Sequence, residues 1–200
     1  MRIIGGTLKG RRLKAPAGLA TRPTSEKVRE ALFDILGRAV EDALFVDLFS
    51  GTGAIAIEAA SRGAAEVVAV ESSRKALGVL KANVGETGCE TSVRILAMPA
   101  VKALRLLKET GGKADVVFAD PPYRDAAWPD LLAGLGEALR WSEGARLVVE
   151  HLAGREPATP KGFSRGRSYR YGDTGLTVFV WDGLAATPLA DREIPRGEGV

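Results

Sequence analysis

The sequence predicts an α/β fold in which a mostly parallel sheet carries helices on both faces. From residue 43 to residue 150, short apolar runs of strand length alternate with segments of helical periodicity. Such alternation is typical of βαβ units, whose crossover helices cover the sheet from both sides. The apolar runs are nearly continuous rather than alternating with polar residues, which is the pattern of strands buried on both faces.

The expected elements follow one another in a simple order along the chain. Runs rich in Val, Leu, Ile and Phe predict strands at 44–49, 66–70, 92–96, 114–119 and 145–150. Segments of helical period predict helices at 54–61, 73–84, 101–108 and 128–140. Two further runs, 163–171 and 176–181, flank Gly172-Asp173 and predict a closing hairpin.

The part of the chain before the sheet has a different character. A hairpin is predicted at 3–14, with its turn at Lys9-Gly10. A helix is predicted next. Thr24 or Ser25 can cap its start, and the glycine at position 37 ends it. We therefore expect three parts, an N-terminal extension, an α/β domain and a flexible tail, at 1–37, 38–182 and 183–200.

The positive charge is concentrated at the N-terminus. Residues 1–30 contain eight Lys or Arg and two acidic residues, a net charge of +6, whereas residues 31–200 sum to −3. A basic segment on a mildly acidic body favours an anionic polymer as partner, although charge alone fits a solvated hairpin equally well.

Composition excludes several classes of protein. We expect a cytoplasmic chain with no membrane partner, because no apolar run reaches membrane-spanning length and no signal peptide is evident. The single Cys89 and the single His151 cannot form a Cys/His zinc site, so no metal is expected. His151 ends a strand with nothing nearby to form a catalytic triad, and we interpret it as structural.

The first predicted strand runs into a glycine-rich turn that indicates a nucleotide site. Gly51 and Gly53 let the backbone approach a ligand closely, and the helix that follows offers free N–H groups. Glu71, at the end of the second strand, can accept both hydroxyls of a ribose. The turn also satisfies the dinucleotide pattern G-x-G-x-x-A, so NAD stays an alternative. Asp47 favours S-adenosylmethionine, because its carboxylate would repel a pyrophosphate and can reach the methionine part of the methyl donor.

A second motif follows the fourth predicted strand. Asp120, Pro121, Pro122 and Tyr123 lie where ligands bind in doubly wound sheets, at the carboxyl end of a strand beside the first. The Asp120 carboxylate and a proline carbonyl can accept both hydrogens of a planar amino group, and consecutive prolines fix the array. Tyr123 offers a surface on which a base can stack. These residues therefore predict methylation of an exocyclic amino group.

The chain resembles the RsmD-type methyltransferases of bacteria over nearly its whole length, to about Trp181. The Asp-Pro-Pro-aromatic tetrapeptide is shared by many amino methyltransferases, so the N-terminal signature narrows the assignment. The segments that carry the resemblance are 2–6, 9–13, 21–24, 28–33, 47–63 and 120–123.

The resemblance implies a Rossmann-like methyltransferase fold with a seven-stranded, mostly parallel sheet and an antiparallel last strand. It implies S-adenosylmethionine as the cofactor and N2 of a guanine in 16S ribosomal RNA as the acceptor. The implied substrate is the assembled or partly assembled small subunit (30S), bound by a monomer.

Carried over by motif, the resemblance assigns three sets of residues. The catalytic set is Asp120, Pro121, Pro122 and Tyr123. The cofactor-binding set is Asp47, Phe49, Ser50, Gly51, Gly53, Glu71, Ser72, Met98, Pro99, Ala100 and Asp120. The RNA-binding set is Arg2, Lys9, Arg11, Arg12, Lys14, Arg22 and Arg29.

One position departs from the family pattern. After the third strand such enzymes often carry Asp or Asn for the adenine amino group, and Pro99 stands there in this chain. We therefore expect adenine to be bound by backbone groups and by packing against Met98 and Ala100.

Three other functions stay open on the sequence. A DNA adenine or protein glutamine methyltransferase uses a related tetrapeptide, but such enzymes usually need a separate recognition domain. A ribosome-assembly factor without transfer activity would not need the intact Asp120 and glycine turn. The interpretation as an NAD-dependent dehydrogenase depends on the glycine pattern alone.

Overall fold

A computed structural model describes residues 1–15, 26–110, 112–122 and 126–183, and it confirms the predicted α/β architecture. Seven strands form one sheet in the order β3-β2-β1-β4-β5-β7-β6. The strands are β1 (Leu44–Asp47), β2 (Glu66–Val70), β3 (Val93–Leu96), β4 (Ala114–Ala119), β5 (Trp141–Leu152), β6 (Phe163–Tyr171) and β7 (Thr174–Trp181). Strands β1 to β5 are parallel, and β7 lies antiparallel between β5 and β6.

Six α-helices accompany the sheet in the described ranges. They are α1 (Glu26–Leu36), α2 (Ala54–Ser61), α3 (Arg74–Thr87), α4 (Ala100–Thr110), α5 (Trp128–Ala133) and α6 (Leu135–Ala138). Helix α1 ends where Gly37 takes a φ of 52° and a short 3-10 turn begins. None of these helices combines the length and the apolarity that a membrane span would need.

The prediction of one helix over 128–140 is wrong. The chain forms two short helices instead, divided at Gly134, and Leu139 is already extended. Strand β5 then begins at Trp141, because the Trp141 ring packs against Phe163 of β6 (4.8 Å between ring centroids) and Trp181 of β7 (5.8 Å). Aromatic packing across the sheet therefore outweighs the local helical periodicity.

The core consists of one layer on each face of the sheet. Alternate residues of a strand point to opposite faces, so Phe45 belongs to one layer and Val46 to the other. Helices α1, α2 and α3 cover the Phe45 face, and helices α4, α5 and α6 cover the Val46 face. Both faces are covered, which explains the continuous apolar runs of the central strands.

The N-terminal residues pack onto the first of these layers. Residues 1–13 fold back on themselves through one antiparallel bridge, Arg2 to Arg12, rather than through a regular two-stranded hairpin. Ile3 and Leu13 are buried in the same core as α1 and α2. We call residues 1–15 the basic arm. The helix-capping residues expected at 24 and 25 and the tail after Gly183 lie outside the described residues.

Candidate active site

The turn between β1 and α2 contains two glycines with different tasks. Gly51 and Gly53 have φ values of 54° and 81°, in the left-handed region that favours glycine. A Cβ atom at Gly53 would collide with the side chain of Leu80, so this glycine lets α2 and α3 pack together. A Cβ atom at Gly51 would meet nothing within 4 Å. The space in front of Gly51 is therefore open to a ligand.

Glu71 holds this turn in place from the end of β2. One carboxylate oxygen accepts a hydrogen bond from the Gly51 amide (2.8 Å), and the other accepts from the amides of Ser72 (2.8 Å) and Ser73 (2.7 Å). The oxygen that accepts from Gly51 keeps a second lone pair, which can accept from a hydroxyl. The Glu71 carboxylate is thus fixed beside the open space, where the predicted ribose would lie.

Asp47 is a buried carboxylate without compensation from the described residues. Its side chain is 1% exposed, and neither carboxylate oxygen has a hydrogen-bond partner among them. The Ser50 hydroxyl donates to the backbone carbonyl of Asp47 (3.0 Å) rather than to its carboxylate. Burial, followed by the negative charges of Asp120 and Glu71, raises the pKa of Asp47 to about 7, and the nearby Ser50 side chain and Phe49 backbone oppose that shift only in part. A cationic group bound here would supply the missing partner.

Asp120 lies next to Asp47 because β4 pairs with β1. The register places Phe118 opposite Asp47, so that Asp120 follows at the same edge of the sheet. Burial raises the pKa of Asp120 to about 6. Pro121 is buried and Pro122 is exposed. Tyr123, the last of the predicted catalytic residues, lies outside the described residues.

Apolar side chains border the glycine turn on one side of the sheet. The Phe49 and Trp128 rings make an edge-to-face contact with centroids 5.7 Å apart, and Met98 packs on the same core layer. Ala100 is buried at the start of α4, while Pro99 is exposed and accepts the amide of Lys102 through its carbonyl (3.0 Å). This wall offers an apolar surface and, at position 99, no side-chain hydrogen-bonding group.

Taken together, these residues fit S-adenosylmethionine better than a dinucleotide. The uncompensated carboxylate of Asp47 suits an ammonium group, Glu71 suits ribose hydroxyls, and the apolar wall around Met98 suits a planar base. The negative charges of Asp120 and Glu71 both act on Asp47, and three carboxylates this close together would repel a pyrophosphate.

Most of the predicted RNA-binding cations are exposed. The exposed members in the described ranges are Arg2, Lys9, Arg11, Arg12 and Lys14, and Arg22 lies outside those ranges. Three of the five make surface contacts within the protein. Arg2 pairs with Glu26 (3.4 Å), Lys14 pairs with Glu86, and Arg11 donates to the Thr87 carbonyl (3.1 Å). Exposed ion pairs of this kind contribute little to stability, so they can be exchanged for phosphates.

The assignment of Arg29 to RNA binding is corrected by the structure. Its side chain is fully buried on the inner face of α1, where it donates to the backbone carbonyl of Arg2 and lies 3.7 Å from a carboxylate oxygen of Glu58. Burial lowers the pKa of Arg29, and the charge of Glu58 opposes that effect. Arg29 therefore fastens the arm to α1 and α2 and is not presented to a phosphate.

Glu58 is the centre of this attachment, a role that was not predicted from the sequence. Its carboxylate accepts from the amides of Ile4 (2.8 Å) and Gly5 (2.7 Å) and from Nε of Arg62 (2.9 Å). Nearby, the Ser61 hydroxyl accepts from the Leu8 amide (2.9 Å). The position of Glu58, a charged residue within the largely apolar helix 54–61, was the sequence feature that could have indicated this role.

Asn83 was also missed, although it is the chain's single asparagine. It is fully buried, and its carboxamide accepts from the Lys14 amide (2.8 Å) and donates to the carbonyls of Lys14 (3.1 Å) and Thr52 (2.9 Å). One side chain thus joins the end of the arm to the glycine turn. A polar residue between Leu80 and Val84 on the inner face of a helix was the signal.

The structural interpretation of His151 is consistent with its surroundings. The ring is buried between β5 and β7, with Nε2 2.8 Å from the Thr177 hydroxyl and Nδ1 2.9 Å from the Leu152 carbonyl. Both ring nitrogens are therefore engaged within the sheet.

Comparison with known proteins gives consistent matches. A family model described as "Conserved hypothetical protein 95" matches residues 1–180. Ribosomal RNA small subunit methyltransferase D of Escherichia coli is 37% identical over 187 residues, covering 90% of this chain and 89% of that protein. The solved structure of the Escherichia coli protein yhhF superposes with a TM-score of 0.79 at 32% identity, covering 92% of this chain and 98% of the other.

A more distant solved structure supports the fold. An RNA methyltransferase from Salinibacter ruber, in complex with S-adenosyl-L-homocysteine, has a TM-score of 0.61 at 21% identity and covers 88% of this chain and 97% of its own. The seven-stranded sheet described above is therefore the fold of known methyltransferases.

Proposed function

Because the chain belongs to the family of RsmD-type methyltransferases, we propose that it methylates the N2 amino group of a guanine in 16S ribosomal RNA. Its substrate is the assembled or partly assembled small ribosomal subunit. The observation that carries the proposal is the juxtaposition of Asp120 with the uncompensated carboxylate of Asp47 at one edge of the sheet.

S-adenosylmethionine is the methyl donor, and when bound it supplies an electrophilic methyl group. Asp47 would face its ammonium group, Glu71 its ribose and the wall around Phe49 and Met98 its base. Desolvation strengthens the attraction of the buried Asp47 carboxylate for a cation, since little water competes with it.

The acceptor amino group is oriented by the residues after β4. Asp120 and the Pro121 carbonyl each accept one N–H hydrogen, which leaves the nitrogen lone pair directed out of the base plane. Two consecutive prolines hold these acceptors, so little conformational entropy is lost when the base binds. Once the amino nitrogen has taken the methyl group it carries a positive charge and is strongly acidic, so one proton can leave to Asp120 or to water without a strong base and give the neutral methylated amine.

The basic arm supports an RNA acceptor. Its exposed cations lie on a surface fastened to α2 by Glu58 and joined to the glycine turn by Asn83. RNA bound along the arm would thus be held at a fixed distance from the donor site, which is the condition for methylating one chosen nucleotide.

The proposal is tested by replacing Asp120. We expect Asp120→Ala to reduce methyl transfer to small subunits by about a hundredfold or more, because the acceptor loses a preorganised charged partner. S-adenosyl-L-homocysteine binding should change much less. Transfer from a radiolabelled donor to small subunits, DNA and protein would be measured, followed by analysis of the modified nucleoside.

The exposed Asp130 provides a matched control, since Asp130→Ala removes the same group outside the site. Full activity of Asp120→Ala would contradict the catalytic assignment. Incorporation into DNA or protein but not RNA, or a product other than N2-methylguanine, would contradict the proposed substrate.

A further inference from the structure

Strand β6 forms one edge of the sheet and carries an unusual set of side chains. Residues 163–171 contain three arginines and two tyrosines and no acidic residue. The strand pairs with β7 on one side, and no described strand pairs with its other side. The tyrosines pack against the core, so the arginines are the groups that this strand offers to a ligand, and their charge favours an anionic polymer.

Two of the three arginines are available for a ligand. Arg165 is engaged within the protein, since it pairs with Glu156 (2.7 Å) and its guanidinium lies 5.4 Å from the Phe179 ring centroid. Arg167 and Arg170 are exposed, and the one contact found for them among the described residues joins Nε of Arg170 to the Gly172 carbonyl (3.0 Å).

A bulge changes the course of the strand beside Arg167. Arg165 pairs with Phe179 and Ser168 pairs with Thr177, so three steps on β6 correspond to two on β7. Bulges redirect side chains away from the regular alternation and are common near active sites. The bulge places Arg167 in an irregular part of the edge, where it cannot pair as an ordinary strand residue.

The register places the end of β6 beside the carboxyl ends of the parallel strands, where Asp120 lies. We call this border of the sheet the catalytic edge. Ala119 pairs with Val149, Val149 with Thr177, and Thr177 with Ser168. Strand β6 runs in the same direction as β4, so Arg170 follows Ser168 toward the same edge as Asp120 follows Ala119. Three strand spacings, about 14 Å, separate β4 from β6 across the sheet. A few nucleotides of single-stranded RNA can cover this distance.

The groove beside β6 has a different chemistry from the strand itself. It measures about 450 Å³, and its lining includes Tyr169, Tyr171, Lys27, Glu30 and Asp34. The two carboxylates repel phosphate, so the groove is unsuited to the RNA backbone. The exposed arginines on the strand are therefore the groups that can contact phosphates.

We propose that the edge strand β6 is a second RNA-binding surface, in which Arg167 and Arg170 contact phosphates near the methylated nucleotide. This inference rests on the proposed function for the nature of the ligand. The arm and β6 lie on different sides of α1, since Arg29 of α1 binds Arg2 of the arm and Lys27 lines the groove together with Tyr171. RNA held by both surfaces would cross the catalytic edge between them.

The test is a double charge reversal, Arg167→Glu with Arg170→Glu, in the full-length chain. We expect affinity for 16S ribosomal RNA and for a short fluorescein-labelled single-stranded RNA to fall about tenfold or more at low salt. The slope of log affinity against log salt should fall by about 1.4 for two lost contacts. Binding of S-adenosyl-L-homocysteine and the melting temperature should not change.

The control is the double variant Arg140→Glu with Lys113→Glu, which makes the same charge change at exposed positions just before β5 and β4, at the ends of these strands away from Asp120. Equal losses of RNA affinity in both variants would show that the effect comes from the overall charge of the protein, and this would overturn the proposal. Unchanged RNA affinity with increased aggregation would also overturn it, since edge arginines then serve only to prevent strand pairing. Failure of the proposed function is separate, because wild-type protein would then bind these RNAs without forming N2-methylguanine.

Discussion

Glu58 and Asp47 are both buried carboxylates on elements that flank the glycine turn, yet their surroundings are opposite. Glu58 accepts three hydrogen bonds and has the Arg29 guanidinium 3.7 Å away. Asp47 has no partner among the described residues. Removing a charge from water costs several kcal/mol, and only at Glu58 does the chain itself compensate that cost. Glu58 is therefore a structural acid, and Asp47 is suited to a ligand.

The largest expected effect concerns Glu58 and its contribution to stability. Glu58→Ala should lower the free energy of unfolding by about 3–5 kcal/mol, because it leaves Arg29 buried without its counter-charge. Urea denaturation would measure the change. Glu86→Ala is the matched control, since it removes an exposed ion pair with Lys14 and should cost less than about 1 kcal/mol. Equal effects of the two substitutions would show that the Glu58 network contributes no special stability.

The second prediction concerns the dependence of stability on pH. The pKa of Asp47 in the folded chain, about 7, lies above its ordinary value of 3.8, so the folded state retains a proton that the unfolded chain has lost. The pKa of Asp120, about 6, is raised in the same direction. The free energy of unfolding should therefore fall, by up to a few kcal/mol, as pH rises from about 4 to about 7.

This prediction is checked by chemical denaturation across that pH range. The added stabilisation by S-adenosyl-L-homocysteine should increase over the same interval, because its ammonium group meets a carboxylate that is increasingly ionised. Asp47→Asn should remove most of both trends. An unchanged pH profile in that variant would assign the titration to other groups.

The third and smallest effect concerns Asp47 and its contribution to ligand binding. Asp47→Asn should weaken S-adenosyl-L-homocysteine binding by about ten- to hundredfold, the usual value of a hydrogen bond to a charged group. It should not lower the stability of the ligand-free protein, because the replaced carboxylate has no partner there. Calorimetric titration and urea denaturation would be compared. Loss of stability with unchanged affinity would make Asp47 structural, like Glu58.

Much of the fold follows from local patterns in the sequence. Strands β2 and β4 and helix α2 have the bounds that their apolar runs and flanking glycines predict. The exception, 128–140, shows why the remainder does not follow. Its periodicity is helical, but the packing of Trp141 on Phe163 and Trp181 depends on strands far along the chain.

The candidate site shows the same division. Asp47, Gly51, Glu71 and Asp120 were predicted because each stands at the end of a strand, and the ends of parallel strands meet at one edge. Glu58 was not predicted, because the two arm amides that it binds, those of Ile4 and Gly5, lie more than 50 residues away in the sequence.

The sequence by itself determined the α/β class, the family and the positions of the carboxylates around the glycine turn. These depend on residue spacing along single strands and helices, which the chain's order already contains. Only the tertiary structure decided that Arg29 is buried and Arg12 exposed, that the Asp47 carboxylate lacks a hydrogen-bond partner while Glu58 has several, and that Arg170 of β6 lies toward the same edge of the sheet as Asp120. Burial and charge compensation are properties of segments brought together by packing, so identical residue types acquire different roles according to what surrounds them.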